Sequence, residues 1–179
     1  MKRVLQVLIA MIVIACPSFA CAGVPEKPDF FSYVYDYANV ISASDEYLIS
    51  TYAQSVDTIG VAQLIAVTVE SLTDMDDAEY CTQLMNTWGI GRATTNDGIL
   101  ILLAPNERRI RIGTGSGIDK QLSDDMCGML LDKYAIPFLA ENEFSSGMVS
   151  LVKATCAKVM IEKHPIFDDK DMITELLSN

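Results

Sequence analysis

Residues 88–117 decide the fold. They read Trp88-Gly-Ile-Gly-Arg92, then Asn96-Asp97-Gly98, an apolar run from Ile99 to Leu103, the tetrad Pro105-Asn-Glu-Arg108, the alternating Arg109-Ile-Arg-Ile112, and the loop Gly113-Thr114-Gly115-Ser116-Gly117. A continuous apolar strand, a four-residue turn and an alternating strand predict an antiparallel hairpin whose first strand is buried and whose second lies at an edge. The antiparallel return brings Gly113 back to the end where Asn96 and Asp97 stand. One corner then gathers a carboxylate, an amide and a loop of small residues, and function is sought there.

Upstream of this run, residues 62–69 are apolar and rich in β-branched residues apart from Gln63, as a strand covered on both faces should be. Between the two strands lies a helix. Asp76 and Glu79 form its start signal, Ala78, Cys81, Met85 and Trp88 its buried stripe, and Gly89 its stop. Strand, helix and strand make a βαβ unit with parallel strands and an expected right-handed crossover. Farther upstream, 23–32 is a proline-containing lead-in and Tyr33-Val-Tyr-Asp-Tyr37 a short aromatic extended segment. Ser42, with Asp45 three residues on, opens a helix in which Leu48, Tyr52, Val56 and Ile59 recur at helical spacing and which Gly60 ends. Downstream, Ser123 with Asp124 and Asp125 caps a third helix. Pro137 breaks or bends it, and Ser145 or Ser146 opens a fourth with Met148, Leu151, Val152, Thr155, Val159 and Met160 as its packing side. Residues 164–179 read as an acidic tail. The expected fold is α/β: a compact three-layer sandwich, with a small mixed sheet of βαβ unit plus hairpin flanked by about four helices, over 33–163.

Lys2 and Arg3 precede an apolar stretch from Val4 to Ala15, and Ala20-Cys21-Ala22 follows as a small-residue cleavage site, so 1–22 read as an export signal peptide. A competing pattern, Val13-Ile-Ala-Cys16, has the form of a bacterial lipoprotein signal that leaves Cys16 acylated. The apolar stretch falls short of a membrane span, and no other stretch reads as reaching the roughly 20 residues a span needs. The mature protein is expected to be soluble in the periplasm or outside the cell. Removing 1–22 takes away Lys2 and Arg3 and no acid, which leaves 157 of the 179 residues and moves the net charge from −11 to −13. Such acidity excludes nucleic acid and anionic membrane surfaces as favoured partners. Cys81, Cys127 and Cys156 remain, an odd number without close spacing. Buried free thiols suit them better than a disulfide framework, although Cys127 and Cys156 could pair if their helices face each other.

Several chemistries fail on composition or spacing. His164 is the sole histidine and follows the fourth helix, so neither a Ser-His-Asp nor a Cys-His arrangement has a base. No His and Cys set suits zinc. Asp74-Met-Asp76-Asp77-Ala78 imitates a phosphoaspartate loop, but Ser71, Leu72 and Thr73 separate it from the strand end, and Asp76 serves as a helix cap. As a calcium loop between helices it has Glu79 where glycine is needed. The 113–117 glycines fit either a tight bend or a nest of amides for phosphate, and they do not make a dinucleotide site. Asn96-Asp97-Gly98 alone reads as a turn. Arg92, Arg108, Arg109 and Arg111 either meet an anionic substrate or solvate an exposed strand face.

Several of these pieces, in order, resemble the TPM domain, a family that includes plant thylakoid-lumen proteins of photosystem II repair and many exported bacterial proteins. The matching pieces are Val34-Tyr-Asp36-Tyr-Ala38-Asn39-Val-Ile41, Ile65-Ala-Val-Thr-Val69, Trp88-Gly-Ile-Gly91, and Asn96-Asp97-Gly98 through Leu103-Ala-Pro105. To these are added Arg109-Ile-Arg-Ile112-Gly-x-Gly115, Pro137, Phe144 and Gly147. The resemblance implies a central sheet flanked by helices and a cleft, usually discussed as calcium-binding, near acidic and glycine-rich loops. For plant members it implies an acid phosphatase activity, and one animal member is an ion-channel subunit. Here the chain departs from the usual pattern. Thr114 stands where many relatives carry an aromatic residue, and Asp119 follows where a glutamate is usual.

On that resemblance the expected metal ligands are Asp36, Asn39, Asp97 and Asp119 around the backbone of Gly113, Thr114, Gly115, Ser116 and Gly117, with Asn96 and Gly98 beside them. Calcium takes six to eight oxygens from such a mixture. Two functions are then expected. One is a divalent-cation (calcium) protein acting as a weak metal-assisted phosphatase on a phosphorylated small molecule. The other is a non-enzymatic accessory or assembly factor for a membrane-protein complex, favoured by the lack of a recognisable nucleophile or base.

Overall fold

The computed structural model describes residues 23–163. The export and lipoprotein readings, Cys16 included, and the acidic tail lie outside these residues. In chain order the elements are β1 (Val34–Asp36), α1 (Ala43–Thr58), β2 (Gln63–Thr68), α2 (Asp77–Trp88), β3 (Gly98–Ala104), β4 (Arg109–Thr114), α3 (Asp124–Tyr134), α4 (Ile136–Ala140) and α5 (Phe144–Lys163). The sheet runs β1-β2-β3-β4. The first three strands are parallel and β4 returns antiparallel, with Ile99 opposite Thr114 and Ala104 opposite Arg109. The hairpin therefore forms where its pattern placed it. Every β3 residue is buried, whereas β4 alternates, with Arg109 exposed and Ile110 and Ile112 buried.

Local chemistry sets the helix starts. The Ser42 hydroxyl accepts the Asp45 amide at 3.2 Å, the Asp76 carboxylate accepts that of Glu79 at 2.7 Å, and the Ser123 hydroxyl accepts that of Met126 at 3.4 Å. Each satisfies an amide that the first helical turn leaves without a partner. Pro137 stands in the first turn of α4 rather than bending α3, since a ring without an N–H is tolerated there. Five helices result among the described residues, and the last begins at Phe144, one residue ahead of the expected serine.

The two faces of the sheet bury separate cores. Leu64, Ala66, Ile99, Ile101 and Leu103 pack against α1, α3 and α5, while Ile65, Val67, Leu100 and Leu102 pack against Tyr80, Cys81, Leu84 and Trp88 of α2. Helices α1 and α2 thus cover opposite faces although both connections step the same way across the sheet. Only one of the two βαβ crossovers can therefore be right-handed, and the other has the uncommon hand. The α1 stripe also differs from the sequence reading. Ile49, Ala53 and Val56 face inward, whereas Leu48 and Ile59 are 40% and 44% exposed. In α2, Tyr80 and Leu84 are buried where Ala78 and Met85 were expected.

Helix α5 corrects the reading that no stretch beyond the first apolar one approaches a membrane span. Its window Phe144–Ile161 is long and apolar enough by length and composition, but half of it is buried inside the domain. Met148, Leu151, Val152, Cys156 and Val159 are core residues, and the helix packs against α1, α3 and α4. The apolarity is that of a central packing helix.

Candidate functional site: a polar cleft beside the edge strand

At the N-terminal end of β3 the loop 113–117 folds back on residues 95–98. The Gly115 amide donates to the Gly98 carbonyl at 2.8 Å, the Gly117 amide to the Asn96 carbonyl at 2.9 Å, and the Asn96 side-chain amide to Ser116 Oγ at 2.8 Å. The glycines are required by this closeness. A Cβ on Gly115 would lie 2.3 Å from the Asn96 carbonyl oxygen and one on Gly117 1.8 Å from that of Thr95. The loop is thus a tight bend, and two of the amides an anion nest would use are spent on the chain itself. Asp119 closes the turn, 3.4 Å from Thr114 Oγ1. The convergence of Asn96, Gly98 and the glycine loop at one corner is as the hairpin implies.

Asp97 joins this corner but turns inward. It is 1% exposed, and its carboxylate accepts the Arg92 amide at 3.1 Å and Arg92 Nε at 3.2 Å, with Arg92 Nη2 2.7 Å from Oδ2. Burial by itself pushes the carboxyl up. Hydrogen bonds from the Arg92 side chain, Thr95 and the Arg92 amide, with the Arg92 charge, outweigh it and hold the group below the ordinary carboxylate range. Arg92 thus staples the loop leading into β3.

Asp36 and Asn39 lie elsewhere. Asp36 is the last residue of β1 and pairs with Thr68, whereas Asp97 precedes Gly98, which pairs with Gln63 at the other end of β2. Five residues of strand separate those levels, about 17 Å at the usual rise. A calcium ion whose ligand oxygens stand about 2.3–2.6 Å away cannot bridge that gap. The Asp36 carboxylate instead accepts the amides of Val40 at 3.2 Å and Ile41 at 2.8 Å and the Thr68 hydroxyl, which closes the turn in which Asn39 adopts a left-handed φ of 53°. The expected set of Asp36, Asn39, Asp97 and Asp119 does not make one metal centre, because parallel strands send residues after β1 and residues before β3 to opposite ends. Among the described residues no group of three or more His, Cys, Asp or Glu stands ready for a metal.

What the corner does form is a cleft of about 330 Å³ between α2 and β4. It is lined by Thr82, Met85 and Asn86 from the helix, Arg111 to Ser116 from the strand and loop, and Asn96 and Asp124 at its mouth. The helix side was missed in the sequence, although Cys81 and Met85 fall one turn apart on the stripe that faces the sheet. Gly113 makes the close approach possible, since a Cβ there would lie 2.4 Å from Cys81 Sγ. The three thiols are buried and unpaired, as expected. Burial pushes Cys81 and Cys156 up to about 12 and Cys127 to about 11, so none is a nucleophile near neutrality.

The model of the TPM domain matches residues 34–158. Three solved structures share the fold. The solution NMR structure of the N-terminal domain of a P. gingivalis protein is 24% identical with a TM-score of 0.67, covering 73% of this chain and 83% of that one. That of the N-terminal domain of cg2496 from Corynebacterium glutamicum is 20% identical with a TM-score of 0.58, covering 76% and 86%. The NMR structure of BA42 from the psychrophilic bacterium Bizionia argentinensis is 15% identical with a TM-score of 0.58, covering 67% and 81%. No curated protein matches the chain.

Proposed function

The chain belongs to the TPM domain family, and from that footing we propose that it serves as an exported accessory or assembly factor for a membrane-associated protein complex, with the cleft beside β4 as its receiving surface. Membership fixes architecture and leaves activity to the site. What supports the reading is the state of the two aspartates that a metal-assisted hydrolase would need. Asp97 is consumed in a buried ion pair and Asp36 in a turn. The cleft itself offers hydroxyls, amides, one guanidinium, one carboxylate and a thioether, a surface suited to holding a segment of polypeptide. The test is recovery of a membrane-protein complex on tagged protein, unchanged in a preparation that releases no phosphate from a generic aryl phosphate. Specific phosphate release that disappears in Asp119→Ala with the fold intact would overturn it.

A second reading, calcium or another divalent cation with weak phosphatase activity, keeps one support. The Asp119 carboxylate stands 3.4 Å from the Thr114 hydroxyl, and the Ser116 hydroxyl belongs to the same glycine loop. These supply too few oxygens for the six to eight calcium takes without water or a ligand completing the shell, and no catalytic step is assigned to the ion. Calcium titration followed by calorimetry decides it: no heat at millimolar calcium removes this reading.

A further inference from the structure

We propose that the outer edge of β4 accepts an extended segment of a partner polypeptide as a fifth strand, the segment presenting acidic side chains to Arg109 and Arg111. The inference rests on the accessory reading above and names the chemistry of the partner.

The backbone carries the argument. In an antiparallel ladder, residues alternate between those that bond the neighbouring strand and those whose amide and carbonyl point away. The Gly115 amide bonds the Gly98 carbonyl in register with the hairpin, so residues 109, 111 and 113 face β3, and Ile110, Ile112 and Thr114 turn their amides and carbonyls outward. Among the described residues nothing takes those outward groups. The opposite edge is different: β1 has three residues, its Val34 amide donates to Ser32 Oγ at 3.1 Å, and its Asp36 carbonyl accepts the Asn39 amide at 3.4 Å. One edge is blunted and the other is open, without proline or bulge, which is the template for strand addition.

The surroundings select the guest. The open edge borders the cleft, walled by Thr82 and Asn86 on one side and Asp124 on the other. An extended segment laid along the edge meets that lining. Arg109 and Arg111 lie on the α2 face of the strand, with side chains 67% and 41% exposed. They share one directly paired carboxylate, Asp77, at 3.9 and 3.2 Å, so the two guanidinium groups outnumber the acid that they touch. Acidic residues two apart on the incoming strand meet both.

The test uses isotopically labelled full chain and a short synthetic peptide alternating aspartate with threonine, beside a peptide with lysine for each aspartate. The aspartate peptide should slow amide exchange at Ile110, Ile112 and Thr114 and leave other surface amides unchanged. Arg109→Gln with Arg111→Gln should weaken its binding by about tenfold. Thr114→Pro should abolish it, since the ring occupies an outward N–H that β3 does not use. No binding at millimolar peptide, equal binding of the lysine peptide, or protection elsewhere overturns the inference, and the arginine pair decides the matter if the proline variant does not fold. Tagged wild-type and Thr114→Pro proteins then separate the two proposals. Recovery of the membrane complex by both keeps the accessory reading and sinks the edge. Peptide binding with no complex recovered keeps the edge and sinks the accessory reading, and loss of the complex only in the variant supports both.

Discussion

Gly117 and Gly128 hold the same residue for opposite reasons. A Cβ on Gly117 meets the Thr95 carbonyl oxygen at 1.8 Å, and one on Gly128, inside α3, meets nothing within 4 Å. Gly117→Ala should therefore cost about 3 kcal/mol, because backbone rather than a movable side chain must yield. Gly128→Ala should gain about 0.5–1 kcal/mol by restricting the unfolded chain within a helix. Differential scanning calorimetry of the two variants checks both signs. Asp97 supplies a pH test. Its folded pKa lies below the ordinary 3.8, so its contribution is present above that value and is lost as pH falls through the depressed one. Asp97→Asn should destabilise by about 1–3 kcal/mol at neutral pH, a moderate figure because Arg92 is partly solvated, and should flatten the acid limb of stability measured by urea unfolding.

Elements were legible where their signals are local. Ser42, Asp76 and Ser123 each cap the helix their sequence announces. Asp76→Ala should accordingly cost about 1 kcal/mol in chemical denaturation, with little effect on the opposite core. Where a signal needed a partner, reading failed. Leu48, Tyr52, Val56 and Ile59 have helical spacing, yet of these only Val56 is fully buried, beside Ile49 and Ala53, and spacing alone does not say which of two overlapping rows faces inward. The crossover rule failed for one connection because it treats each βαβ unit alone, whereas two apolar helices here must cover two apolar faces of a sheet that grows in one direction.

For the whole molecule, the ends of the sheet matter more than its strands. The corner of Asn96, Gly98 and the glycine loop could be read because a hairpin returns to its origin. The link to Asp36 could not hold, because the segment around Tyr35 had no assigned neighbour, and its pairing with β2 sends Asp36 to the far end. Asp36→Ala and Asp97→Ala should then be independent: their destabilisations should add within about 0.5 kcal/mol, with or without calcium, in a double-mutant cycle. Cys81, Cys127 and Cys156 should resist alkylation in the native protein at pH 8 and react together in denaturant, as read by mass spectrometry of their peptides, since all three lie inside the two cores.

Along the bend at 113–117, positions closed by neighbouring atoms, side-chain sulfurs at Gly113 and backbone at Gly115 and Gly117, alternate with positions that are not. Gly113, Gly115 and Gly117 admit no side chain without collision, while Thr114 and Ser116 project beside the cleft. A lineage can therefore rewrite what this rim prefers by changing two residues, losing one side-chain hydrogen bond at each and no backbone contact. Diversity among descendants of this architecture should concentrate on those two alternating sites.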